Sequence, residues 1–468
     1  MTPTTSQYHA IVLGGSMAGL LTARVLSNHF DQVTIIERDP VSDQPESRKG
    51  QPQTRHLHVL LAGGLDVITR YFPDLPDALV AGGALVEDTT ETMRWYSYGG
   101  YRKRFSMGRK GAIMSRPFLE YLIHQRVLAL PNVTLVDNCA VKGLVTTTDR
   151  QRVTGVQVAR RDGNDGAETL AADLVVDCTG RGSRTPQWLA QLGYAAPDES
   201  EVKVNVGYAT RTYRRIPTES YTQDWVLVTP EAPKETRFGA MLPIEGDRWI
   251  VAMGGWMGDH APTDEQGFLD YAHSLPVPDI YNVVSQAEPL SDIVPYKFPS
   301  SLRRHYEKLA RFPKGFLVLG DAICSFNPTY GQGMTSAAMQ AAELDTLLVQ
   351  RQAGLAPHFF KRAAKVVDVP WQLAVGEDFR FPETTGPKPA GIDLLNRYVA
   401  AVHRATLVDA VVGKTFIEVL NLLAPPSKLM TPDMMLRVWR ANRRLAQQAG
   451  RAAPMPTIAT PKVASEPG

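Results

Sequence analysis

A glycine-rich turn near the start of the chain constrains the fold more than any other feature. The apolar run at 10–13 predicts a buried strand, and an apolar-periodic helix is predicted over 20–30, before a second strand that ends in an acid. The candidate phosphate- and ribose-binding residues of the turn and of the strand end are Gly14, Gly15, Ser16, Met17, Ala18, Gly19, Glu37 and Arg38. A βαβ unit of this kind presents free N–H groups and a positive helix end to a dinucleotide, and its acid can accept both ribose hydroxyls. Ser16 replaces the middle glycine of the usual pattern, so a turn that binds nothing is the alternative.

A second stretch, about three hundred residues further on, suits the same ligand. An apolar strand at 316–319 ends in Gly320 and Asp321, where a carboxylate can bond a polyol chain. Further candidate residues lead into an alanine-rich helix, and they are Pro328, Gly331, Gly333 and Met334. The glycines let backbone N–H groups approach an electron-rich ring edge. Two turns suited to one extended cofactor are far more specific than either turn alone.

Three arginines extend this candidate site. Arg48 and Arg55 lie in a basic loop soon after the acid-ending strand, and Arg116 lies at the entry to a helix predicted to end at about residue 130. The loop can fold back along a cofactor and meet its phosphates or ring edge. A helix is predicted over 54–72 with His56 and His58 at its start, where capping or a surface position is the alternative to a cofactor role.

Composition and charge narrow the class of protein. The 468 residues, 44% of them hydrophobic, can bury a large core and predict two joined domains with an appendage. A net charge of +2 with dispersed basic residues gives no case for nucleic acid. The three cysteines show neither a metal spacing nor a disulfide framework, so no metal site is predicted and a reducing cytoplasm fits best. Because no signal pattern and no bilayer-spanning run is found, a soluble cytoplasmic protein without a transmembrane segment is expected.

We expect a discontinuous α/β architecture. The nucleotide-binding domain is expected to comprise residues 1–200 and 300–368, with a β insertion near 143–160. A β-rich domain is expected at residues 201–299. Helices should follow at 369–450, and a flexible tail at 451–468. An apolar pocket in the β-rich domain could be lined by Tyr208, Phe238, Met241, Met253 and Trp256, although most such side chains in a sheet are core. The C-terminal helices carry a broad apolar surface and should dock on the preceding domains, as a lid over substrate or as a brace or dimer contact.

The two motifs and Arg116 resemble those of flavoprotein monooxygenases of the p-hydroxybenzoate hydroxylase fold, over about the first three hundred and fifty residues. The resemblance implies a Rossmann-like FAD-binding domain, an interleaved β-sheet substrate domain and a C-terminal helical segment. It also implies that Glu37 binds the adenosine ribose of FAD, that Asp321 binds the ribityl chain, and that residues 331–334 lie beside the flavin pyrimidine.

A narrower resemblance is to bacterial polyether epoxidases that act on monensin and lasalocid precursors, and it is carried by residues 48–58, 179–184, 208–211 and 326–331. It implies oxygen transfer from O2, through a C4a-hydroperoxyflavin, to a hydrophobic small molecule. An alkene of a polyketide or terpenoid intermediate is the expected substrate, in antibiotic biosynthesis or other secondary metabolism. A single-component NAD(P)H-dependent aromatic hydroxylase and a flavin-dependent dehydrogenase or double-bond reductase stay open as alternatives. The chain lacks the Trp-x-Trp-x-Ile-Pro segment of the flavin halogenases, so halogenation is not expected.

One departure from the aromatic hydroxylases concerns electron supply. Thr179-Gly180 stands where those enzymes have an Asp-Gly pair that helps to engage both FAD and NADPH. This resembles members that receive reduced flavin from a separate reductase. The expected partners are therefore an NAD(P)H-dependent flavin reductase, O2 and the substrate, with the protein itself a monomer or homodimer. An alkene needs no deprotonation, so no side chain is assigned as an essential acid or base, and His58 is a candidate proton donor only.

Overall fold

The computed structural model describes residues 8–161, 166–215, 224–351 and 353–451. Its strands are β1 (His9–Leu13), β2 (Gln32–Ile36), β3 (Val59–Leu60), β4 (Leu85–Glu87), β5 (Met93–Ser97), β6 (Gly100–Tyr101), β7 (Gly111–Ile113), β8 (Val133–Val136), β9 (Cys139–Thr146), β10 (Val153–Arg160), β11 (Glu168–Ala171), β12 (Leu174–Asp177), β13 (Glu199–Val202), β14 (Val206–Arg214), β15 (Trp225–Val228), β16 (Arg237–Ile244), β17 (Arg248–Gly255), β18 (Val294–Phe298), β19 (Ser301–Arg304), β20 (Phe316–Val318) and β21 (Cys324–Ser325). Its helices are α1 (Met17–Leu26), α2 (Ala62–Tyr71), α3 (Leu75–Ala81), α4 (Thr89–Thr92), α5 (Arg116–Leu128), α6 (Thr185–Gln191), α7 (Glu265–His273), α8 (Asp279–Val284), α9 (Gly333–Val349), α10 (Leu355–Asp378), α11 (Ile392–Ala405), α12 (Ala410–Leu420) and α13 (Pro432–Arg451). The predicted tail, from residue 452 on, lies outside the described residues.

A parallel sheet forms the first layer. Its five strands run in the order β20-β12-β1-β2-β8, with Val12 of β1 opposite Val176 on one side and Ile35 on the other. The near-continuous apolar sequence of these strands is typical of a parallel sheet that helices cover. Helix α9 packs against α1, α2 and α10 beside this sheet. A small antiparallel sheet of β9, β10 and β11 occupies the region of the predicted insertion.

A second sheet has seven strands in the order β18-β14-β17-β16-β15-β5-β6. Five of them come from 201–299, but β5 and β6 come from 93–101, so this sheet reaches beyond the predicted domain limits. β5 pairs in parallel with β15, Trp95 lying opposite Leu227. A pairing between segments so far apart in sequence leaves no local pattern that could predict it.

The two faces of the second sheet have different neighbours. One face carries α7 and α8, and the side chains of Phe268, Tyr271 and Ile280 fill the core between them. The other face packs against the C-terminal helices, where Phe416 of α12 and Val438 of α13 join a second core. The expected docking of the C-terminal helices on the preceding domains is therefore observed.

Helix α10 runs without a break through the predicted boundary between residues 368 and 369. Pro370 lies inside this helix. A proline removes one backbone hydrogen bond but does not have to end a helix when packing holds both halves in place. The C-terminal helices are thus continuous with the first domain. Among the described residues, no helix combines the length and apolar character needed to cross a bilayer.

Candidate cofactor and substrate site

Two positions of the first glycine turn, Gly14 and Gly19, have no room for a side chain. Gly14 has φ of 97°, and a Cβ on it would lie 2.8 Å from the carbonyl oxygen of Cys178. A Cβ on Gly19 would lie 1.8 Å from the carbonyl oxygen of Gly14. Both positions therefore require glycine, and the N-terminus of α1 is brought against the end of β1.

Glu37, at the end of β2, already has partners for both carboxylate oxygens. Its Oε2 accepts from the Gly15 backbone N–H at 2.8 Å, and its Oε1 accepts from the Asp39 backbone N–H at 3.0 Å. Arg48 Nη1 lies 3.4 Å from Oε2. This end of the candidate site is held in shape by the protein itself.

Ser16 takes part in a buried network that centres on Glu120. Ser16 Oγ donates to Glu120 Oε2 at 2.9 Å, and Arg116 Nη2 donates to the same oxygen at 2.9 Å. Arg48 Nη2 donates to Glu120 Oε1 and, at 2.8 Å, to the Gly15 carbonyl oxygen. Burial alone would raise the pKa of Glu120, but the charges of Arg116 and Arg48 hold it below its ordinary value. Glu120 was not predicted from the sequence, although its i,i+4 spacing from Arg116 on a predicted helix was a usable signal.

The second motif meets the first at Gly320. A Cβ on Gly320, which has φ of 72°, would lie 2.8 Å from Ala18 Cβ, and a Cβ on Gly180 would lie 4.0 Å from Asp321 Cβ. Asp321 itself is exposed and has no hydrogen-bond partner among the described residues. The surrounding protein desolvates the carboxyl and raises its pKa to about 6, against the charges of Arg116 and Arg181. An accessible acid this deep in the protein indicates an open cleft.

The loop after β21 continues this cleft. A single 3-10 turn at Pro328–Tyr330 ends at Gly331, which has φ of 69°. Space is open where a Cβ on Gly331 or Gly333 would lie, and α9 begins at Gly333. Gln332 between them is buried and its Nε2 donates to the carbonyl oxygen of Leu420, the last residue of α12, at 3.0 Å. Met334 is buried in the core beneath the loop.

Two of the predicted arginines stand apart from this group. Arg38 is 59% exposed, and its Nη2 donates to the Gly50 carbonyl oxygen at 3.3 Å. Arg55 is also exposed. Of the basic loop, the structure brings only Arg48 into the network around Glu37 and Glu120.

Three of the predicted pocket residues lie together on one face of the seven-stranded sheet. Tyr208 and Phe238 both lie opposite Gly254 in the ladders on either side of β17, so they share a face. Phe238 also contacts Trp256, with ring centroids 5.2 Å apart. These three aromatic side chains form the part of the predicted pocket that the structure brings together.

The two predicted pocket methionines lie on the opposite face. Met253 directly precedes Gly254 in β17, and Met241 lies opposite Val251, two residues before Met253. Because side chains alternate between faces along a strand, both methionines point away from Tyr208. Both are fully buried in the core under α7 and α8. The structure therefore does not support a pocket role for either methionine.

The predicted helix over 54–72 is wrong at its start. A 3-10 turn covers Pro52–Arg55, and α2 begins only at Ala62, so the two histidines lie in extended chain. His56 Nδ1 lies 2.8 Å from Thr210 Oγ1, and its ring makes an edge contact with Tyr208 at 5.1 Å. Tertiary contacts with the second sheet thus override the helical pattern.

His58 is a poor proton donor in this arrangement. Its Nδ1 lies 2.9 Å from the His56 carbonyl oxygen, which can only accept, so Nδ1 carries the hydrogen and Nε2 of the neutral ring has none to donate. Burial and the charge of Arg116 lower the pKa of His58 to about 3. Burial, with Arg55, lowers the pKa of His56 to about 4.

Thr179, at the position of the missing acid, is bound to the sheet. Its backbone N–H and its hydroxyl both donate to Asp177 Oδ1, at 2.9 Å and 2.6 Å. Asp177 is fully buried, and its other oxygen accepts from Ser183 Oγ at 2.6 Å. An acid at position 179 would face the Asp177 carboxylate, and like charges this close repel.

Comparison with known proteins agrees with this geometry. The family model described as FAD binding domain matches residues 7–358. Protein Rv3254 of Mycobacterium tuberculosis (strain ATCC 25618 / H37Rv) is 33% identical over 482 residues, covering 97% of this chain and 98% of the relative. The chain therefore belongs to the FAD-binding-domain family.

Solved structures share the fold at low identity. P. aeruginosa PqsL in complex with 2-aminobenzoylacetate has a TM-score of 0.60 at 17% identity, covering 80% of this chain and 98% of PqsL. The flavin-dependent brominase Bmp2 has a TM-score of 0.63 at 12% identity, covering 94% of this chain and 99% of Bmp2. The α/β fold class with a Rossmann-like FAD-binding domain and C-terminal helices is thereby confirmed.

Proposed function

We propose that FAD binds along the cleft between the two glycine motifs. Gly14 to Gly19 and the N-terminus of α1 would hold the pyrophosphate, with Arg48 and Arg116 beside it, and Glu37 would accept the ribose hydroxyls. Asp321 would bond the ribityl chain, and the backbone of 331–334 would face the pyrimidine edge of the flavin. Three observations support the fit: no side chain could replace Gly14 or Gly19, Asp321 has no hydrogen-bond partner among the described residues, and the first turn of α1 meets the second motif where Ala18 lies against Gly320.

The proposed activity is transfer of one oxygen atom from O2 to a hydrophobic small molecule, and specifically epoxidation of an alkene in a polyketide or terpenoid intermediate. Reduced FAD, when bound, supplies the electrons that activate O2. The observation that carries the choice of substrate is the setting of His56, whose Nδ1 lies 2.8 Å from Thr210 Oγ1 and whose ring contacts Tyr208; burial lowers its pKa to about 4, and that of the neighbouring His58 to about 3. A phenol must lose its proton to become a strong nucleophile, and such weak bases would not remove it. An alkene needs no base.

The tasks left to this chain are orientation and exclusion of water. Tyr208, Phe238 and Trp256 form an apolar cluster with Phe381 and Tyr296, so a hydrophobic substrate would lie against rings rather than charges. Burial of such surface favours binding of apolar molecules over polar ones.

We further propose that electrons come from NAD(P)H through a separate flavin reductase. Thr179 is hydrogen-bonded to Asp177 instead of presenting an acid to NADPH. A cytoplasmic setting and a monomeric or homodimeric state stay predictions.

In the test, the FAD-loaded protein is reduced under anaerobic conditions, either by NADPH alone or by NADPH together with a free flavin reductase. Isotopically labelled O2 is then added with a long-chain alkene, a phenol of similar size or the matching alkane. We expect slow reduction by NADPH alone, rapid reduction with the reductase, and one labelled oxygen atom in the alkene product.

Each other outcome selects another function. Rapid reduction by NADPH together with a labelled catechol from the phenol would favour a single-component aromatic hydroxylase. Loss or gain of substrate hydrogen without labelled oxygen would favour a dehydrogenase or double-bond reductase.

A further inference from the structure

The C-terminal end of α10 carries a buried carboxyl group that joins three parts of the molecule. Asp378 Oδ1 accepts from Asn327 Nδ2 at 2.9 Å, from Tyr330 Oη at 3.0 Å and from Trp256 Nε1 at 3.4 Å. The residue is 0% exposed, and its Oδ2 has no hydrogen-bond partner among the described residues. A single oxygen of this buried carboxyl group therefore accepts all three hydrogen bonds.

Two of the three donors belong to the loop that precedes α9. Asn327 also caps the turn at Pro328–Tyr330, because its Oδ1 accepts from the Thr329 backbone N–H at 3.1 Å and from the Thr329 hydroxyl at 2.8 Å. Tyr330 is the last residue of that turn and precedes Gly331. Asp378 thus holds both ends of the turn that sets the backbone path into 331–334.

The third donor belongs to the candidate substrate pocket. The Trp256 ring stacks on Phe381 with centroids 5.6 Å apart and an angle of 16° between the planes, and it meets Phe238 edge-on. A change at Asp378 would therefore move the pocket wall and the flavin-facing loop together.

Glu377, the acid that precedes Asp378, has different partners. Glu377 accepts from Arg380 Nη1 at 2.6 Å and contacts His403 Nε2 at 3.2 Å, and these partners hold its pKa well below the ordinary value although burial opposes them. Burial, with the charge of Glu377, raises the pKa of Asp378 to about 7 despite its three donors. Glu377 is the ionised partner of the C-terminal helices, whereas Asp378 acts as a hydrogen-bond acceptor. An amide oxygen at position 378 could accept the same bonds.

We propose that Asp378 is a positioning residue for oxygen transfer, which holds the pocket wall at Trp256 and the flavin-facing loop at Asn327 and Tyr330 in one arrangement through a single carboxyl oxygen. The inference rests on the proposed function. Productive turnover converts the alkene, O2 and reduced FAD into epoxide, oxidised FAD and water. When substrate and flavin are misaligned, O2 and reduced FAD give hydrogen peroxide and oxidised FAD instead, so the product-to-peroxide ratio measures alignment.

The experiment compares Asp378→Ala and Asp378→Asn with Glu377→Gln as the matched control, in the full-length protein loaded with FAD and supplied by a free flavin reductase. The readouts are the product-to-peroxide ratio, the visible spectrum of bound FAD, and the melting temperature. For Asp378→Ala we expect the ratio to fall at least about tenfold, since misplacement by about 1 Å costs up to about a hundredfold in rate, and the FAD spectrum to shift. Asp378→Asn should recover most of the ratio. Glu377→Gln should lower the melting temperature and leave the ratio and the spectrum unchanged.

Two outcomes of this comparison of position 378 variants would overturn the inference. An unchanged ratio and spectrum in Asp378→Ala, with only a lower melting temperature, would make the residue purely structural. A ratio in Asp378→Asn as poor as in Asp378→Ala would show that charge, not the acceptor oxygen, is needed.

If Asp378→Ala does not fold, Tyr330→Phe and Trp256→Phe each remove one donor and keep an aromatic ring. Both should lower the ratio, and the double variant should lose less than the product of the two effects, because the residues share one acceptor. If neither Tyr330→Phe nor Trp256→Phe lowers the ratio, the inference is overturned. If the wild-type protein forms no oxygenated product, the proposed function fails separately. A shift of the FAD spectrum in Asp378→Ala that Asp378→Asn reverses would still support the positioning role, and no shift would overturn it.

Discussion

The two acids of the proposed FAD cleft, Glu37 and Asp321, differ in the hydrogen-bond partners that the protein gives them. Each follows a strand of the same parallel sheet, so both stand at its carboxyl edge. Glu37 receives two backbone N–H donors and has Arg48 beside it, whereas Asp321 has no partner among the described residues. In the proposed cleft, Glu37 is therefore fixed by the protein's own backbone, whereas the Asp321 carboxylate is left free to bond a ligand. This contrast predicts different costs for deleting each acid.

The largest expected effect is on the stability of the apoprotein. Glu37→Ala leaves two buried backbone N–H groups without an acceptor and removes the negative charge beside Arg48 Nη1, so we expect a loss of about 3 kcal/mol in the free energy of unfolding. Asp321→Ala should cost nothing or stabilise the apoprotein, because it removes a desolvated charge. Urea unfolding of both variants measures the difference, and equal losses would erase the contrast between the two acids.

The next effect is on FAD affinity. Asp321→Ala should weaken FAD binding at least about tenfold, since a hydrogen bond to a charged group contributes about 1.5–3 kcal/mol. Fluorescence titration with FAD measures it, and the exposed Asp292, just before β18 of the second sheet, gives a matched control as Asp292→Ala. Wild-type affinity in Asp321→Ala would exclude this acid from the site.

A smaller effect concerns pH. The folded-state pKa of Asp321, about 6, lies above its ordinary value, so the native apoprotein binds more protons than the unfolded chain between these two values. Stability should therefore fall as pH rises from about 4 to about 6 and then level off, with solvent access to the side chain reducing the size of the fall. Asp378 contributes in the same direction up to about pH 7, so the difference between wild type and Asp321→Asn isolates Asp321. A wild-type slope in Asp321→Asn would contradict this assignment.

The smallest effect is expected at Ser16. Ser16→Gly removes the bond to Glu120 but leaves both arginines bound to that acid, so we expect a stability change below about 1 kcal/mol and little change in FAD affinity. Thermal melts and FAD titration measure both quantities. A large loss of FAD affinity would show that the serine itself belongs to the preformed end of the cleft.

Much of the first sheet was predictable because its signals are local. The strand at 10–13, the turn at 14–19 and the acid at 37 lie within one βαβ unit, and the strand and turn around Gly320 and Asp321 form another local pattern. Glu120 could also have been found from its spacing to Arg116. The start of α2 could not, because Thr210 and Tyr208, more than a hundred residues away, hold His56 in extended chain.

The residues of the candidate substrate pocket could not be assigned from local sequence patterns. Strand periodicity places Tyr208 and Met253 on opposite faces once the pairing of β14 with β17 is known, but the sequence alone does not say which face meets α7 and which meets the cofactor domain. The same holds for Asp378, whose three partners come from two other segments.

By itself, the sequence determined that the chain has two glycine turns suited to one dinucleotide, with Glu37 and Asp321 as their acids, since each turn is encoded by residues adjacent in the chain. Only the tertiary structure decided that the two turns meet at Ala18 and Gly320, that Glu37 is saturated and Asp321 is not, and that Asp378 joins the pocket wall to the loop before α9. Those facts depend on how distant segments pack, and packing is set by the whole chain at once.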